Sequence, residues 1–175
     1  MDAMSEPRPI DPVTRQLLRH TVATLAYRAG KVLRDAPAGF GEVRASASSR
    51  SAAEILGHMV DLLAWGERLA RGEYRWEASG VTDWPTGVTR FFDGLAALDR
   101  ALAETTVPFS PEVLFQGPIA DALTHTGQLA MLRGLAGAAI RPESYARATI
   151  EAGRVGADQA APGREFEGDA SRPAR

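Results

Sequence analysis

Residues 51–71, SAAEILGHMVDLLAWGERLAR, carry the clearest helix signature in the chain. Ser51 stands three positions before Glu54, which is the spacing of a capping box at a helix N-terminus. Apolar residues then recur three and four positions apart, as they do along one face of an α-helix. The pattern predicts an amphipathic helix that begins at Ser51 and ends near Arg71. Its apolar face comprises Ile55, Leu56, Met59, Leu62, Leu63 and Leu69.

Three more stretches share this periodicity and predict helices over about 11–34, 85–104 and 118–136, the last ending at Gly137 as a C-cap residue. No segment alternates with period two, so strands are not expected. Four amphipathic helices predict an all-α fold, a four-helix bundle spanning residues 11–140. The apolar faces include Leu17, Leu18, Val22 and Leu25 in the first helix, Phe91, Phe92, Leu95 and Leu98 in the third, and Leu129, Leu132 and Leu135 in the fourth.

The two ends of the chain differ in composition from this central region. Residues 1–10 are predicted to be a flexible N-terminus. Residues 141–175 are rich in Gly, Ala, Pro and charged residues and form an irregular C-terminal extension. We expect its first part to pack on the bundle through Tyr145, Ile150 and Val155, and the part beyond about Phe166 to be disordered.

The segment EVLFQGP at 112–118 matches the recognition site of a viral protease that is common in expression vectors. Helical patterns on both sides of the segment indicate that it belongs to the native chain. Pro118 suits the first position of a helix, where a missing N–H costs nothing. The sequence therefore predicts that the fourth helix begins at Gly117–Pro118.

Composition excludes several classes of function. The 175 residues contain no Cys, which removes disulfides, thiolate metal ligands and a Cys nucleophile. Twenty Lys and Arg residues balance 22 Asp and Glu residues without a basic cluster, so nucleic-acid binding is not expected. No run of about 18 apolar residues predicts a membrane span. The N-terminal residues lack an apolar segment typical of a signal peptide, and a cytoplasmic location is expected.

Polar residues interrupt two of the predicted inward faces. His58 keeps the register of Ile55 and Leu62, and Asp121 and His125 lie four positions apart on the fourth helix, followed by Gln128. Buried polar groups need partners, and one metal ion would satisfy all three of His58, Asp121 and His125. Three protein ligands leave positions open for water or substrate.

Purely structural interpretations remain open at each of these positions. A lone His among apolar residues is commonly a hydrogen-bonded core residue, and Asp121 suits the positive end of a helix dipole. Asp61, three residues after His58, is either an orienting partner of that imidazole or a solvated charge. His20 is assigned a structural role. The three Trp residues, at 65, 76 and 84, are assigned to packing or to the lining of a pocket.

Two segments resemble a known family: SAAEILGHMVDLLAWGERLARGE at 51–73 and LFQGPIADALTHTGQLAMLRGLAG at 114–137 are similar to the second and fourth helices of the DinB-like, YfiT-like superfamily of damage-inducible proteins. The extension ESYARATIEAGRVGADQAAP at 143–162 resembles one branch of it. The resemblance covers about residues 11–165 and implies a four-helix bundle. The family's metal triad is a His on the second helix and a His-x-x-x-His pair on the fourth. His58 and His125 match it, whereas Asp121 replaces the middle His.

The resemblance implies a metal-dependent enzyme, because some members transfer a low-molecular-weight thiol to an electrophile and one is a thiol-dependent isomerase. The expected cofactor is a divalent metal, Zn or Ni ahead of Fe or Mn. The expected partners are a small-molecule thiol, an electrophile and a second copy of the chain in a homodimer. The alternative is a non-catalytic helical bundle that binds a small ligand or a protein partner. A hydrogen bond from His58 to protein would favour this alternative.

Overall fold

Four long or composite helices build the protein, in a computed structural model that describes residues 8–104 and 106–166. Helix α1 spans Pro12–Leu33, α2 spans Ala52–Ala70 and α3 spans Trp84–Ala103. The fourth begins with α4, Pro111–Leu114, continues through a π-helical turn, Phe115–Ile119, and ends with α5, Ala120–Leu135. Two-residue strands β1 (Arg8–Pro9) and β2 (Thr106–Val107) pair antiparallel, and short 3₁₀ helices cover Phe40–Glu42 and Tyr145–Arg147. The predicted all-α bundle is confirmed.

Polar caps fix the start of each long helix. The capping box of α2 is complete, because Ser51 accepts from the Glu54 amide at 3.2 Å and the Glu54 carboxylate accepts from the Ser51 amide at 2.6 Å. Asp11 caps α1 by accepting from two amides of its first turn. Such caps satisfy donors that have no partner inside the helix. The periodicity and the capping box therefore predicted the bounds of α1, α2 and α3 to within one or two residues.

The packing of the helices determines which side chains can meet. Helices α1 and α2 each pack against both α3 and α5, so they occupy diagonal positions and α2 lies beside α5. The buried core is apolar and includes Leu25, Leu63 and Phe91. Two leucines that were predicted to lie on apolar faces are instead exposed: Leu17 is 64% exposed and Leu135 is 63% exposed. Both leucines continue the apolar spacing of their helices, but they lie outside the part of the helix surface that the neighbouring helices cover.

The start of the fourth helix differs from the prediction. Ser110 caps this helix and Pro111 occupies its first turn, so the helix begins seven residues before Pro118, which lies inside it. Inside a regular α-helix a proline ring clashes with the preceding turn, and the wider π turn gives that ring room. The pair Gly117–Pro118 serves packing instead, because a Cβ on Gly117 would lie 3.1 Å from the Trp65 ring and a Cβ on Gly66 would lie 3.1 Å from Pro118.

The C-terminal extension is fastened to α1 by a buried carboxylate. The fully buried side chain of Glu143 accepts from the Tyr27 hydroxyl at 2.6 Å and from Lys31 at 2.8 Å. Lys31 also pairs with Glu165 at 2.6 Å. Val155 is buried as predicted, while Tyr145 and Ile150 pack half-buried at the edge of the core. Flexibility was predicted for residues 1–10, but Arg8 and Pro9 pair with β2 and Ile10 is buried in the core. Residues 1–7 and 167–175, where flexibility and disorder were predicted, lie outside the described residues.

Within residues 8–104 and 106–166, no helix combines the length and the apolar character that crossing a bilayer requires.

Candidate metal centre

Two neighbouring helices bring the predicted ligands together. His58 lies in the middle of α2, whereas Asp121 and His125 lie in successive turns of α5. Because the two residues on α5 are four apart, their side chains point the same way. One ligand atom from each of the three residues lies within 4.8 Å of the others. The predicted convergence is therefore confirmed, and the cluster could hold a metal ion.

The Asp121 carboxylate lies between the two imidazole rings. Its Oδ2 lies 3.5 Å from Nε2 of His58, and its Oδ1 lies 3.4 Å from Nε2 of His125. Both distances exceed the usual N–H···O range of about 2.7–3.2 Å. They are close to the separation of about 3.3–3.4 Å between neighbouring donors that are bound at about 2.0–2.1 Å to a tetrahedral ion, with a different carboxylate oxygen facing each ring. The donor set of two nitrogens and one oxygen suits Zn, Ni, Fe(II) or Mn.

The orientation of His125 is set from behind by Gln128. Nδ1 of His125 lies 2.7 Å from Oε1 of Gln128, one turn further along α5. An amide oxygen only accepts, so in the neutral imidazole the ring hydrogen is on Nδ1 and the lone pair is on Nε2, which faces Asp121. This arrangement of a metal-binding imidazole with a hydrogen-bonded far nitrogen is usual in metalloproteins. The sequence indicated Gln128 only as a continuation of the polar face.

The surroundings of His58 favour its neutral form. Burial lowers the pKa of its imidazole, nearby His125 and Arg50 lower it further, and Asp121 partly opposes them. Neutral imidazole is the form that coordinates metal. The ring of Trp76 packs beside it, with centroids 5.6 Å apart.

A buried aspartate holds the loop that carries Trp76. Asp61 is only 6% exposed and accepts from both the amide and the hydroxyl of Ser79, and Arg90 donates to the same hydroxyl. Both interpretations of Asp61 were therefore wrong, since it neither contacts His58 nor faces solvent. Its partner lies 18 residues away in a loop, where no periodic pattern could reveal it.

The other residues that the sequence analysis considered lie away from the ligands or pack beside them. His20 is exposed on α1. Trp84 packs on Phe40, with centroids 4.9 Å apart, and also lines a cavity away from the three ligands. Trp65 packs edge-on against Trp76, with centroids 5.8 Å apart, and so supports the aromatic wall beside His58.

The cluster is open to solvent on one side. The side chain of Asp121 is 45% exposed, whereas that of His125 is 11% exposed. A cavity of about 380 Å³ opens beside His125, which is within the usual size range of small-molecule sites. A larger cavity, about 640 Å³, contains none of the three ligands and lies near Phe40 and Trp84. The smaller cavity is lined by Ala45, Ser49, Arg50, Ile55, His125, Gln128, Met131 and Leu132.

No sequence pattern indicated Arg50 as a residue of this site. It stands in a Ser-rich loop outside the periodic segments. The available cue was its position directly before the capping Ser51, on the segment that leads into the helix of His58.

Comparison with known proteins adds no relative: the chain matches no protein-family model, no curated protein and no solved structure. Membership of the DinB-like superfamily therefore stays a prediction that rests on the quoted segments.

Proposed function

We propose that this protein is a metal-dependent enzyme of the DinB-like kind, a transferase that joins a low-molecular-weight thiol to an electrophile. The observation that carries the proposal is the convergence of two imidazoles and one carboxylate, with Nε2 of His125 freed for coordination by the bond to Gln128. A divalent ion in such a site acts as a Lewis acid that lowers the pKa of a coordinated thiol.

The chain's own residues have limited and specific roles in this proposal. His58 and His125 would supply neutral nitrogen donors, and Asp121 would supply the oxygen donor and one negative charge. Zn or Ni is preferred over Fe or Mn because two of the three donors are imidazoles. The chain has no Cys, so the reacting thiol must come from a cosubstrate. A cytoplasmic location, which is part of the proposal, would supply thiols in reduced form.

The reaction balances without an oxidant or a reductant. A thiol RSH and an electrophile R′X give the thioether RSR′ and HX. The sulfur–carbon bond forms as the carbon–X bond breaks, X leaves with the bonding electron pair, and solvent takes the thiol proton. The open side at Asp121 would admit both reactants.

The non-catalytic alternative has less support in the site itself. It would be favoured by a His58 imidazole engaged in a hydrogen bond to protein. Among the described residues, the polar group facing its Nε2 is the Asp121 carboxylate at 3.5 Å, which is longer than an ordinary bond.

A direct assay separates the two functions. Zinc-loaded protein is incubated with glutathione or cysteine and 1-chloro-2,4-dinitrobenzene, and the thioether is quantified by absorbance and mass spectrometry. We expect product above the uncatalysed rate for the parent protein and the background rate for His58→Ala and His125→Ala. Exposed His20→Ala is the matched control and should behave as the parent. Equal rates for the parent and the His58 and His125 variants would contradict the proposal.

A further inference from the structure

The cavity beside His125 combines a cation with an apolar floor. Ile55 and Leu132 are buried, at 5% and 3% exposed, while Met131 is 60% exposed and forms an outer wall. Arg50 and Gln128 supply polar groups to the same cavity. Binding sites for small molecules commonly pair apolar walls with a few polar groups that fix orientation.

Two arginines in one loop have different roles. Arg44 is committed to structure, since it donates to the Ser49 carbonyl at 2.6 Å and pairs with Glu54 at 2.8 Å. Arg50 is exposed, and in the part of the chain that the structure describes its guanidinium has no hydrogen bond or ion pair. Its charge is therefore available to a ligand.

The backbone on both sides of Arg50 is held in place. The Ser49 hydroxyl accepts from the Ser46 amide and donates to the Ser46 carbonyl, both at 2.9 Å. Ser51, which caps α2, also forms an isolated antiparallel β-bridge with the backbone of Arg44. The Ala52 amide donates to the Val43 carbonyl at 3.0 Å. A cation on a fixed backbone loses less entropy when it binds an anion than a cation on a mobile loop.

We propose that this cavity binds a small organic anion with an apolar body, a carboxylate or a phosphate ester, beside the metal centre. Arg50 binds the anionic group with its forked guanidinium. Ile55, Leu132 and Met131 contact the apolar body, and the uncharged end lies toward His125. This anion site goes beyond the proposed function, and its binding step can be measured without metal.

The test uses the metal-free full-length protein and the probes hexanoate, hexyl phosphate and the neutral hexanamide, with binding followed by amide NMR shifts. We expect at least one of the two anions to saturate signals of the cavity residues and hexanamide to bind more weakly. Arg50→Gln should reduce anion affinity about tenfold, the loss expected for a charge-assisted hydrogen bond. Arg50→Lys keeps the charge but not the forked guanidinium, so its anion affinity should lie between those of the parent and Arg50→Gln.

Arg100→Gln is the matched control, because Arg100 is exposed on α3 and is not part of the cavity lining. Circular dichroism verifies that each variant folds. The tighter anion identifies the anionic group. Shifts that map elsewhere, hexanamide binding as tight as the anions, or an unchanged affinity in Arg50→Gln would overturn the inference.

Zinc binding to the same samples separates the two proposals. If the protein binds zinc but no anion at Arg50, the proposed anion site is wrong and the proposed metal centre is supported. Anion binding at Arg50 in a chain that does not bind zinc upholds the anion pocket and overturns the proposed function.

Discussion

Replacing Gln128 with Leu tests whether the hydrogen bond behind His125 prepares the metal centre. Leu has a similar size but cannot accept from Nδ1, which now lies 2.7 Å from the amide oxygen. The ring hydrogen would then be free to move to Nε2, the atom that faces Asp121 at 3.4 Å. A protonated Nε2 cannot coordinate a metal, so the variant must restore the correct tautomer and ring angle each time it binds.

The magnitude follows from the role of such partners. Loss of an orienting hydrogen bond typically weakens metal affinity about 10–100-fold, or about 1.4–2.7 kcal/mol. Gln128→Glu, which keeps an acceptor at this position, should bind zinc at least as tightly as the parent. The assay is competition for zinc against a chromophoric chelator at pH 7, with thermal melts to verify folding. Exposed Gln16→Leu on α1 is the matched control. A zinc affinity of Gln128→Leu within about twofold of the parent would refute the reasoning, since the expected loss is larger.

Three further predictions concern the site, the extension and the fourth helix. Asp121→His should raise the affinity for Zn or Ni, and Asp121→Ala should lower that affinity less than His125→Ala does, as measured by calorimetry. If Asp121→His binds metal no more tightly than the parent, Asp121 is not a ligand position. Glu143→Gln should lower the free energy of unfolding by about 3 kcal/mol in urea titrations, because it breaks a buried ion pair. Burial opposes ionisation of Glu143, but bonds from Lys31 and Tyr27 outweigh it and lower its pKa. The stability that the ionised Glu143 carboxylate contributes is therefore complete above the ordinary carboxyl pKa and is lost as the pH falls through the lower pKa of the folded state. The free energy of unfolding at acid pH should thus depend less on pH in Glu143→Gln than in the parent. Identical pH profiles of the two proteins would contradict this. The vector protease should cut folded protein slowly between Gln116 and Gly117, which lie in a helical turn, and rapid complete cleavage on a gel would show that this turn opens.

Local patterns were enough to predict the first three helices and the all-α class. The capping box at Ser51 and the apolar spacing through Leu69 depend on neighbours within a few residues, and both are present in α2. The start of the fourth helix could not be read in this way. Gly117 and Pro118 are shaped by contacts with Trp65 and Gly66, which lie about fifty residues earlier. The preference of Pro for the first position of a helix therefore placed the helix start at Gly117–Pro118, whereas this pair lies inside the helix and packs against α2.

The site was predictable only where its residues share a helix. The four-residue spacing placed Asp121 and His125 together, and the register of His58 placed it inward. That α2 lies beside α5 came from the family resemblance, since no residue pattern sets the order of helices in a bundle. Arg50 and the long-range partner of Asp61, Ser79, escaped prediction because loops carry no periodicity.

The central claim is that His58, Asp121 and His125 form one metal site, and calorimetric titration of metal-free protein with zinc tests it most directly. We expect one ion per chain for the parent and no measurable binding for His125→Ala, with both proteins equally folded by circular dichroism. A parent protein that binds neither zinc nor nickel, or a His125→Ala variant that binds zinc as the parent does, would contradict it.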